Sequence, residues 1–545
     1  MKDFFTPNLR PPSHVMRLSQ MGAMFPTRIS FLRVLVRALA AENAKVERSV
    51  WDMDADGYGQ ALYTVSLGGH TYSLFAISQA LDPSQRTDRV IANAWDAAFV
   101  LYDGVPDADE RARLAANAPL QEGGRYGPRD LCLSRANKSV RLFKSVGDAL
   151  RNDTLPMMDI LNIGYLMRTT AVYGNGKFGL ADRHTFCTRP HMDCPFMAEM
   201  LTVWLIRGFT HDLVEHVGGA EMPPPVKRAL GVGNSTGLGM APFLVSHPGL
   251  LHAWISTRET ALARVLEAEV NAEQATNYIT LARRAMQHLL EWNVPDPEHQ
   301  DRIVGLRRDW ATMLRGLTGD TLTGLDALRR MIEQADTPDF EELLIAWAIE
   351  GAGDLVDDLT DQLAKIPETT PDLTQDCTAL QATLHDIARF ATTTDFNAAD
   401  QTAQFWYVSQ SKLEPRLGNR HAEEGADWES PLDIARRMAE LGDDLQGATG
   451  PVWAFLAHHP QHRMAVERLQ LMAALPYSEI QDNLIADTTH PINMLRCKLS
   501  FFGASKFDPK SKLWTRISLG QGAPLAKDIE QGTMTDQVWL AAFGQ

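Results

Sequence analysis

QALYTVSLGGHTYSLFAI, residues 60–77, carries the strongest structural signal in this chain of 545 residues. Its two halves, 60–67 and 70–77, are rich in β-branched and aromatic residues, which favour β-strands. They meet at Gly68-Gly69, a dipeptide that adopts the positive φ angles of a tight turn without steric strain. These features predict a β-hairpin. Residues 89–102 are expected to add one or two strands, which gives a small antiparallel sheet.

Around the hairpin the apolar residues follow a helical period. An amphipathic helix is expected over residues 27–42. Further helices are predicted at 196–217, 249–291, 298–316, 322–334, 339–366, 376–391 and 430–474. The predicted fold class is α+β and predominantly α-helical, with a small antiparallel β-sheet near the N-terminus followed by a large helical bundle region. The predicted domains are a mixed α/β N-terminal domain at 1–190, a helical domain at 191–475, and a C-terminal segment at 476–545 that packs back on the site.

Composition narrows the class of protein. The chain has 52 Lys and Arg against 68 Asp and Glu, and its net charge of −16 disfavours general nucleic-acid binding and anionic membranes. Its five cysteines are an odd number in a large chain, which favours a reducing compartment over a disulfide framework. No apolar run approaches the roughly 20 residues of a membrane span. We therefore expect a cytoplasmic protein without a membrane partner, and a homo-oligomer stays open.

Residues 173–194, YGNGKFGLADRHTFCTRPHMDC, concentrate titratable side chains on a glycine-rich loop. Such loops often carry function, because substrate and water reach them while the scaffold holds them in place. The candidate catalytic residues are Tyr173, Lys177, His184 and His191. The two histidines and the lysine are candidates for acid/base catalysis, and the tyrosine could donate to a developing oxyanion.

The same loop contains four side chains that could bind zinc. They are His184, Cys187, His191 and Cys194. Imidazole nitrogen and thiolate sulfur are the ligands from which tetrahedral zinc sites are built. The alternative is a polar loop whose cysteines point into the core. No other cofactor motif is evident, so the cofactor is unknown and zinc is the candidate that the sequence suggests.

A second glycine-rich loop, GVGNSTGLG at residues 231–239, could bind an anion through exposed backbone N–H groups. It lacks both the preceding strand of a dinucleotide site and the Gly-Lys-Ser/Thr ending of a nucleotide-binding loop. Its alternative role is a helix C-cap with a tight helix crossing. Two basic segments are further candidates to face the anion, 134–144, whose bases recur at every third residue and predict an amphipathic helix, and 496–516. The predicted substrate-binding residues are Arg141, Arg183, Arg189, Asn234, Ser235, Thr236, Gly237, Arg416 and Arg516.

Together these patterns predict an enzyme that acts on a small anionic metabolite, one that bears a carboxylate or a phosphate. Because no redox-cofactor motif is evident, acid/base proton transfer of the lyase or isomerase type is the simplest reaction. Two alternatives stay open. One is a zinc-dependent enzyme or zinc-stabilised protein that uses the His/Cys cluster at 184–194, and the other is a non-catalytic helical scaffold or binding protein.

Overall fold

A computed structural model of the protein describes residues 8–16, 20, 23–25, 27–29, 31–80, 82, 96–118, 127–136, 139–154, 171–174, 177–178, 187–194, 197–223, 248–291, 297–364, 370–398, 401, 407–409, 412–416, 431–478 and 530–531. Of these residues, 60% are helical, and an antiparallel sheet lies near the N-terminus. The predicted α+β, predominantly α-helical class is therefore confirmed.

Most of the described helices lie in predicted helical segments. The described helices are α1 (Pro12–Val15), α2 (Phe31–Ala41), α3 (Ala108–Asn117), α4 (Ser139–Arg151), α5 (Met197–Gly218), α6 (Pro248–Glu267), α7 (Ala272–Glu291), α8 (Pro297–Gly316), α9 (Gly319–Leu322), α10 (Ala327–Glu333), α11 (Pro338–Gly351), α12 (Gly353–Val356), α13 (Cys377–Thr392), α14 (Pro431–Leu445), α15 (Val452–His458) and α16 (Arg463–Ala474). Several of the predicted segments are divided into two or more helices, and α1 and α3 were not predicted. Two 3-10 helices, Asp357–Ala364 and Pro460–His462, complete the set in these ranges. None of α1–α16 combines the length and the apolar composition that a membrane span requires.

Seven of the described strands form one antiparallel sheet in which each strand pairs with its neighbours in sequence. They are β1 (Lys45–Met53), β2 (Gly59–Leu67), β3 (His70–Ser78), β4 (Ala97–Asp103), β5 (Asp130–Ala136), β6 (Ala171–Gly174) and β7 (Lys177–Phe178). The predicted hairpin is confirmed as β2 and β3, and both Gly68 and Gly69 have positive φ. Strand β4 lies where a strand was expected, while residues 83–95 fall outside the described part of the chain.

Both faces of the sheet are covered. Leu74 and Phe99 belong to the core that the sheet shares with α5, which is buried on almost every side. The opposite face includes Phe75 and packs against Leu114 of α3. Of the 22 residues of α5, 18 are buried, among them the polar Glu199, Arg207 and His211, so its apolar residues lie around the helix and do not form one stripe.

Arg10 joins the N-terminal segment to two helices of the bundle. Its guanidinium forms ion pairs with Glu259 of α6 at 2.7 Å, and with Glu341 and Glu342 of α11 at 2.9 Å each. Arg258 also pairs with Glu342, at 2.7 Å. Burial raises the pKa of Glu342, but the two arginines outweigh burial, so this pKa lies below its ordinary value. The network is a buried, paired set of charges whose members depend on one another.

Helices α13–α16 have a hydrophobic core of their own, to which Leu380, Leu441 and Val466 contribute fully buried side chains. The sheet and the helices α5–α12 share another core. The predicted domain boundaries at 190/191 and 475/476 stay predictions.

One segment differs from its predicted helical form. Residues 134–136 belong to β5 and helix α4 begins only at Ser139, so the basic residues of 134–144 do not share one helix.

A second, two-stranded antiparallel sheet is formed by β8 (Tyr407–Ser409) and β9 (Lys412–Arg416). Arg416 therefore lies at the end of a strand.

Candidate functional site

One end of the sheet gathers several of the connections between strands. Strand β2 ends there at Leu67 and β3 begins at His70, while β4 ends at Asp103 and β6 at Gly174. Neighbouring strands of an antiparallel sheet run in opposite directions, so these strand termini all lie at the same end of the strands. We call this end the turn end of the sheet.

Residues 187–194 pack against the turn end. The hydroxyl of Tyr72 donates a hydrogen bond to the backbone oxygen of Pro190, and Arg189 donates from Nη2 to the backbone oxygen of Pro128. Burial, and then the negative charge of Asp103, raise the pKa of Tyr72 above its ordinary value, so its hydroxyl remains a donor. The predicted site segment is thus fixed to the sheet from two sides.

His191, a predicted catalytic residue, lies beside the β2–β3 turn. A Cβ atom built on Gly68 would come within 2.3 Å of His191 Nε2 and 3.0 Å of Glu42 Oε2. Gly68 and His191 both have a backbone φ in the left-handed region, +54° at Gly68 and +61° at His191. The close packing of ring and turn depends on the absence of a side chain at Gly68.

Asp103 is the centre of the polar contacts at the turn end. One carboxylate oxygen, Oδ1, lies 2.6 Å from His70 Nε2, and the other, Oδ2, forms an ion pair with Arg189 Nη1. The Asp103 side chain is only 11% exposed. Charge-assisted hydrogen bonds to both oxygens compensate for the loss of hydration.

The imidazole of His70 has one nitrogen held and one directed away from Asp103. Its ring packs on Tyr72 with centroids 4.7 Å apart, and its side chain is 32% exposed. Since Nε2 contacts the carboxylate, Nδ1 is the nitrogen that can exchange a proton with a ligand. In catalytic sites, a histidine base is oriented by a carboxylate that holds one ring nitrogen while the other nitrogen faces the reacting group.

The backbones of Tyr173 and Lys177 lie on β6 and β7 of the same sheet, away from Asp103. Tyr173 pairs with Leu133 of β5, which is opposite Val100 in the middle of β4. Lys177 pairs with Gly174 across the β6–β7 hairpin, on the third strand from β4. Of the predicted site residues, the structure brings Arg189 and His191 to the turn end.

The remaining predicted residues are not brought to this site by the described atoms. Arg141 lies on α4 and Arg416 on β9, and only their backbones are described. The predicted residues outside the described ranges are Arg183, His184, Asn234, Ser235, Thr236, Gly237 and Arg516.

The predicted zinc ligands are only partly described. Cys187 and Cys194 are half-buried and form no disulfide bond, and His184 lies outside the described ranges. In the described part of the chain, one group of three or more metal-ligating side chains converges, and it is Asp444, His459 and His462. The four-ligand site at 184–194 stays a prediction.

The thiol of Cys132, on β5, is buried in the core. Burial raises the pKa of Cys132 well above its ordinary value, the charge of Glu199 on α5 adds to this effect, and a hydrogen bond with Thr202 opposes it. A thiol is nucleophilic as its thiolate, so Cys132 is a core residue and not a nucleophile.

Sequence reasoning missed His70 and Asp103. Each adjoins a glycine turn at a strand end, since His70 follows Gly69 and Asp103 precedes Gly104. A polar residue beside a glycine turn is expected to be exposed. The contact between His70 and Asp103 depends instead on the pairing of β3 with β4, in which Tyr72 is opposite Asp103.

No protein-family model, curated protein or solved structure matches the chain. The chemistry of the turn end is therefore the basis for inferring a function.

Proposed function

We propose that this chain is an enzyme that binds a small carboxylate- or phosphate-bearing metabolite at the turn end of the sheet. It acts on that metabolite by acid/base proton transfer, as lyases and isomerases do. The observation that supports this most is the bridging carboxylate of Asp103, which holds His70 by one oxygen and Arg189 by the other.

His70 is the general base in this proposal. Asp103 fixes the proton of the imidazole on Nε2, so Nδ1 presents its lone pair to the substrate. When Nδ1 takes a proton, the carboxylate stabilises the imidazolium that forms. His191, which lies beside the β2–β3 turn, and Lys177 of β7 are the candidates to return a proton as general acid.

Arg189 has a different role from the one that the sequence suggested. Its Nη1 and Nη2 groups contact Asp103 and the Pro128 carbonyl, so it holds the 187–194 loop. Direct contact with the substrate anion then falls to Arg183 and the loop at 231–239, with Tyr173 as a hydrogen-bond donor. Because Asp103 balances the charge of Arg189, Arg183 is the residue proposed to attract an anionic metabolite to a protein of net charge −16.

We place the enzyme in the cytoplasm. None of the four described cysteines, Cys132, Cys187, Cys194 and Cys377, forms a disulfide bond. A reducing compartment keeps thiols in this form.

The first test is to find the ligand. Thermal unfolding would be measured with inorganic phosphate, phosphate monoesters, and mono- and dicarboxylates, and we expect one class to raise the melting temperature. Proton exchange on that ligand in deuterated water, followed by NMR, would then report catalysis directly. A panel that leaves the melting temperature unchanged throughout would count against the proposal.

Substitution then tests the base. We expect His70→Ala and Asp103→Asn each to lower the exchange rate by roughly 10²–10⁴-fold, the range for loss of a positioned general base. The matched control is His385→Ala, because His385 is an exposed histidine on α13. Full activity in His70→Ala, with its circular dichroism unchanged, would rule out this base.

A further inference from the structure

The connection between α15 and α16 carries two histidines that face α14. His459 follows the last residue of α15, and His462 ends the short 3-10 helix Pro460–His462. Asp444 lies one residue before the end of α14. The three residues lie in the α13–α16 unit, and none of them belongs to the turn end of the sheet.

Three potential ligand atoms converge at this connection. Asp444 Oδ2 lies 2.8 Å from His462 Nε2 and 3.1 Å from His459 Nδ1, and the three atoms all lie within 4.8 Å of one another. Around a tetrahedral zinc ion with bonds of about 2.0–2.2 Å, two ligand atoms lie about 3.3 Å apart. The observed spacing therefore needs only small movements to accept such an ion.

The two imidazole rings are held in place by packing. Phe455 stacks on His459 with centroids 4.7 Å apart and an interplanar angle of 17°. It lies nearly parallel to His462 as well, at 6.0 Å and 9°. The His462 side chain is only 3% exposed, whereas those of His459 and Asp444 are 34% and 37% exposed. One ligand is thus fixed in the core while the other two leave a path to solvent.

We propose that Asp444, His459 and His462 bind a divalent transition metal ion of the zinc class. Two imidazole nitrogens and one carboxylate oxygen suit zinc better than Mg²⁺, which prefers oxygen ligands in octahedral geometry. With three protein ligands, the fourth position of a tetrahedral ion is filled by water on the exposed side. The ion would tie the end of α14 to the α15–α16 connection.

The first experiment is zinc titration. The full-length chain is stripped with a chelator, and ZnCl₂ binding is measured by calorimetry, with MgCl₂ as the comparison. We expect one equivalent of zinc to bind at this site, and no comparable binding of magnesium. A folded wild-type chain that binds no zinc would overturn the proposal.

Variants assign the binding to these residues. Asp444→Asn, His459→Ala and His462→Ala should each weaken zinc binding by at least roughly 100-fold, since loss of even a supporting residue costs 10–100-fold. The control is His458→Ala, which removes an exposed histidine of α15 whose Nδ1 contacts the Ala454 carbonyl. Because His462 is buried, the two exposed positions keep the test valid if His462→Ala fails to fold.

A second zinc site must be kept distinct from this one. The double variant Cys187→Ser with Cys194→Ser removes the thiols of the segment at 184–194, and it should leave binding at Asp444, His459 and His462 unchanged. Cobalt substitution gives an independent test. If cobalt binds at Asp444, His459 and His462, its spectrum should lack the charge-transfer band of a thiolate-bound cobalt ion. Zinc binding that is lost in the cysteine variant and kept in Asp444→Asn would overturn the proposal.

Discussion

Among single residues, Asp103 determines the geometry of the turn end, because its two oxygens hold His70 of β3 and Arg189 of the 187–194 segment. Neither partner could replace the other, since a histidine offers one donor on a ring and an arginine offers a planar fork. The position of the carboxylate thus couples the sheet to the loop. Gly68 does the same by a steric route, because the turn and His191 fit together only without a side chain.

A pair of glycine variants tests this steric fit. Gly69 has a φ of +84° with open space around it, so Gly69→Ala should cost about 1 kcal/mol of unfolding free energy for the backbone conformation alone. Gly68→Ala adds a clash with the His191 ring, and we expect it to cost about 1 kcal/mol more. Urea unfolding of the two variants measures the difference. Equal values would show that His191 does not press on the turn.

Among the elements, those with strong local signals were predicted well. The β2–β3 hairpin follows from alternating β-branched residues around Gly68-Gly69, and α11 follows from Pro338 behind its N-cap Thr337. Strand β5 was missed, because the bases around residue 135 also fit a helical spacing, and pairing with β4 decided the outcome. Contacts such as that of His70 with Asp103 arise from strands distant in sequence, and local patterns do not contain that information.

The junction of α6 and α11 provides a prediction on pH. Glu342 has a lowered pKa in the folded state, so its ionisation stabilises the fold above the ordinary carboxyl pKa of about 4.3. This contribution is lost as the pH falls through the folded-state pKa. We expect Glu342→Gln to cost about 3–5 kcal/mol at pH 7, because Arg10 and Arg258 lose a buried partner. The difference in unfolding free energy between Glu342→Gln and wild type should shrink below pH ~4.3.

Urea unfolding at several pH values from 7 down to about 3 checks this expectation. The control is Glu467→Gln, which removes an i,i+4 pair with Arg463 at the surface and should cost less than about 1 kcal/mol. A Glu342→Gln effect that stays constant with pH would mean that the carboxylate is not preferentially ionised by folding.

At the scale of the whole molecule, the two separate cores predict two units of local stability. Leu441 is fully buried in the core of α13–α16, so Leu441→Ala should cost about 2–5 kcal/mol. Hydrogen exchange followed by mass spectrometry should show faster exchange in α13–α16 and no change in β2–β4. Acceleration in both regions would mean that the two cores unfold together.

The ion pairs of Arg10 also set an order of events during folding. Every strand of the described sheet pairs with its sequence neighbour, so each pairing joins strands that are much closer in sequence than Arg10 is to its partners. Arg10, in contrast, meets Glu259 at a separation of 249 residues, and its backbone oxygen accepts from the Tyr477 hydroxyl at a separation of 467. A ribosome makes Arg10 long before these partners exist. The segment that leaves the ribosome early must therefore wait until α6, α11 and Tyr477 have been made, and its docking is a late step of folding.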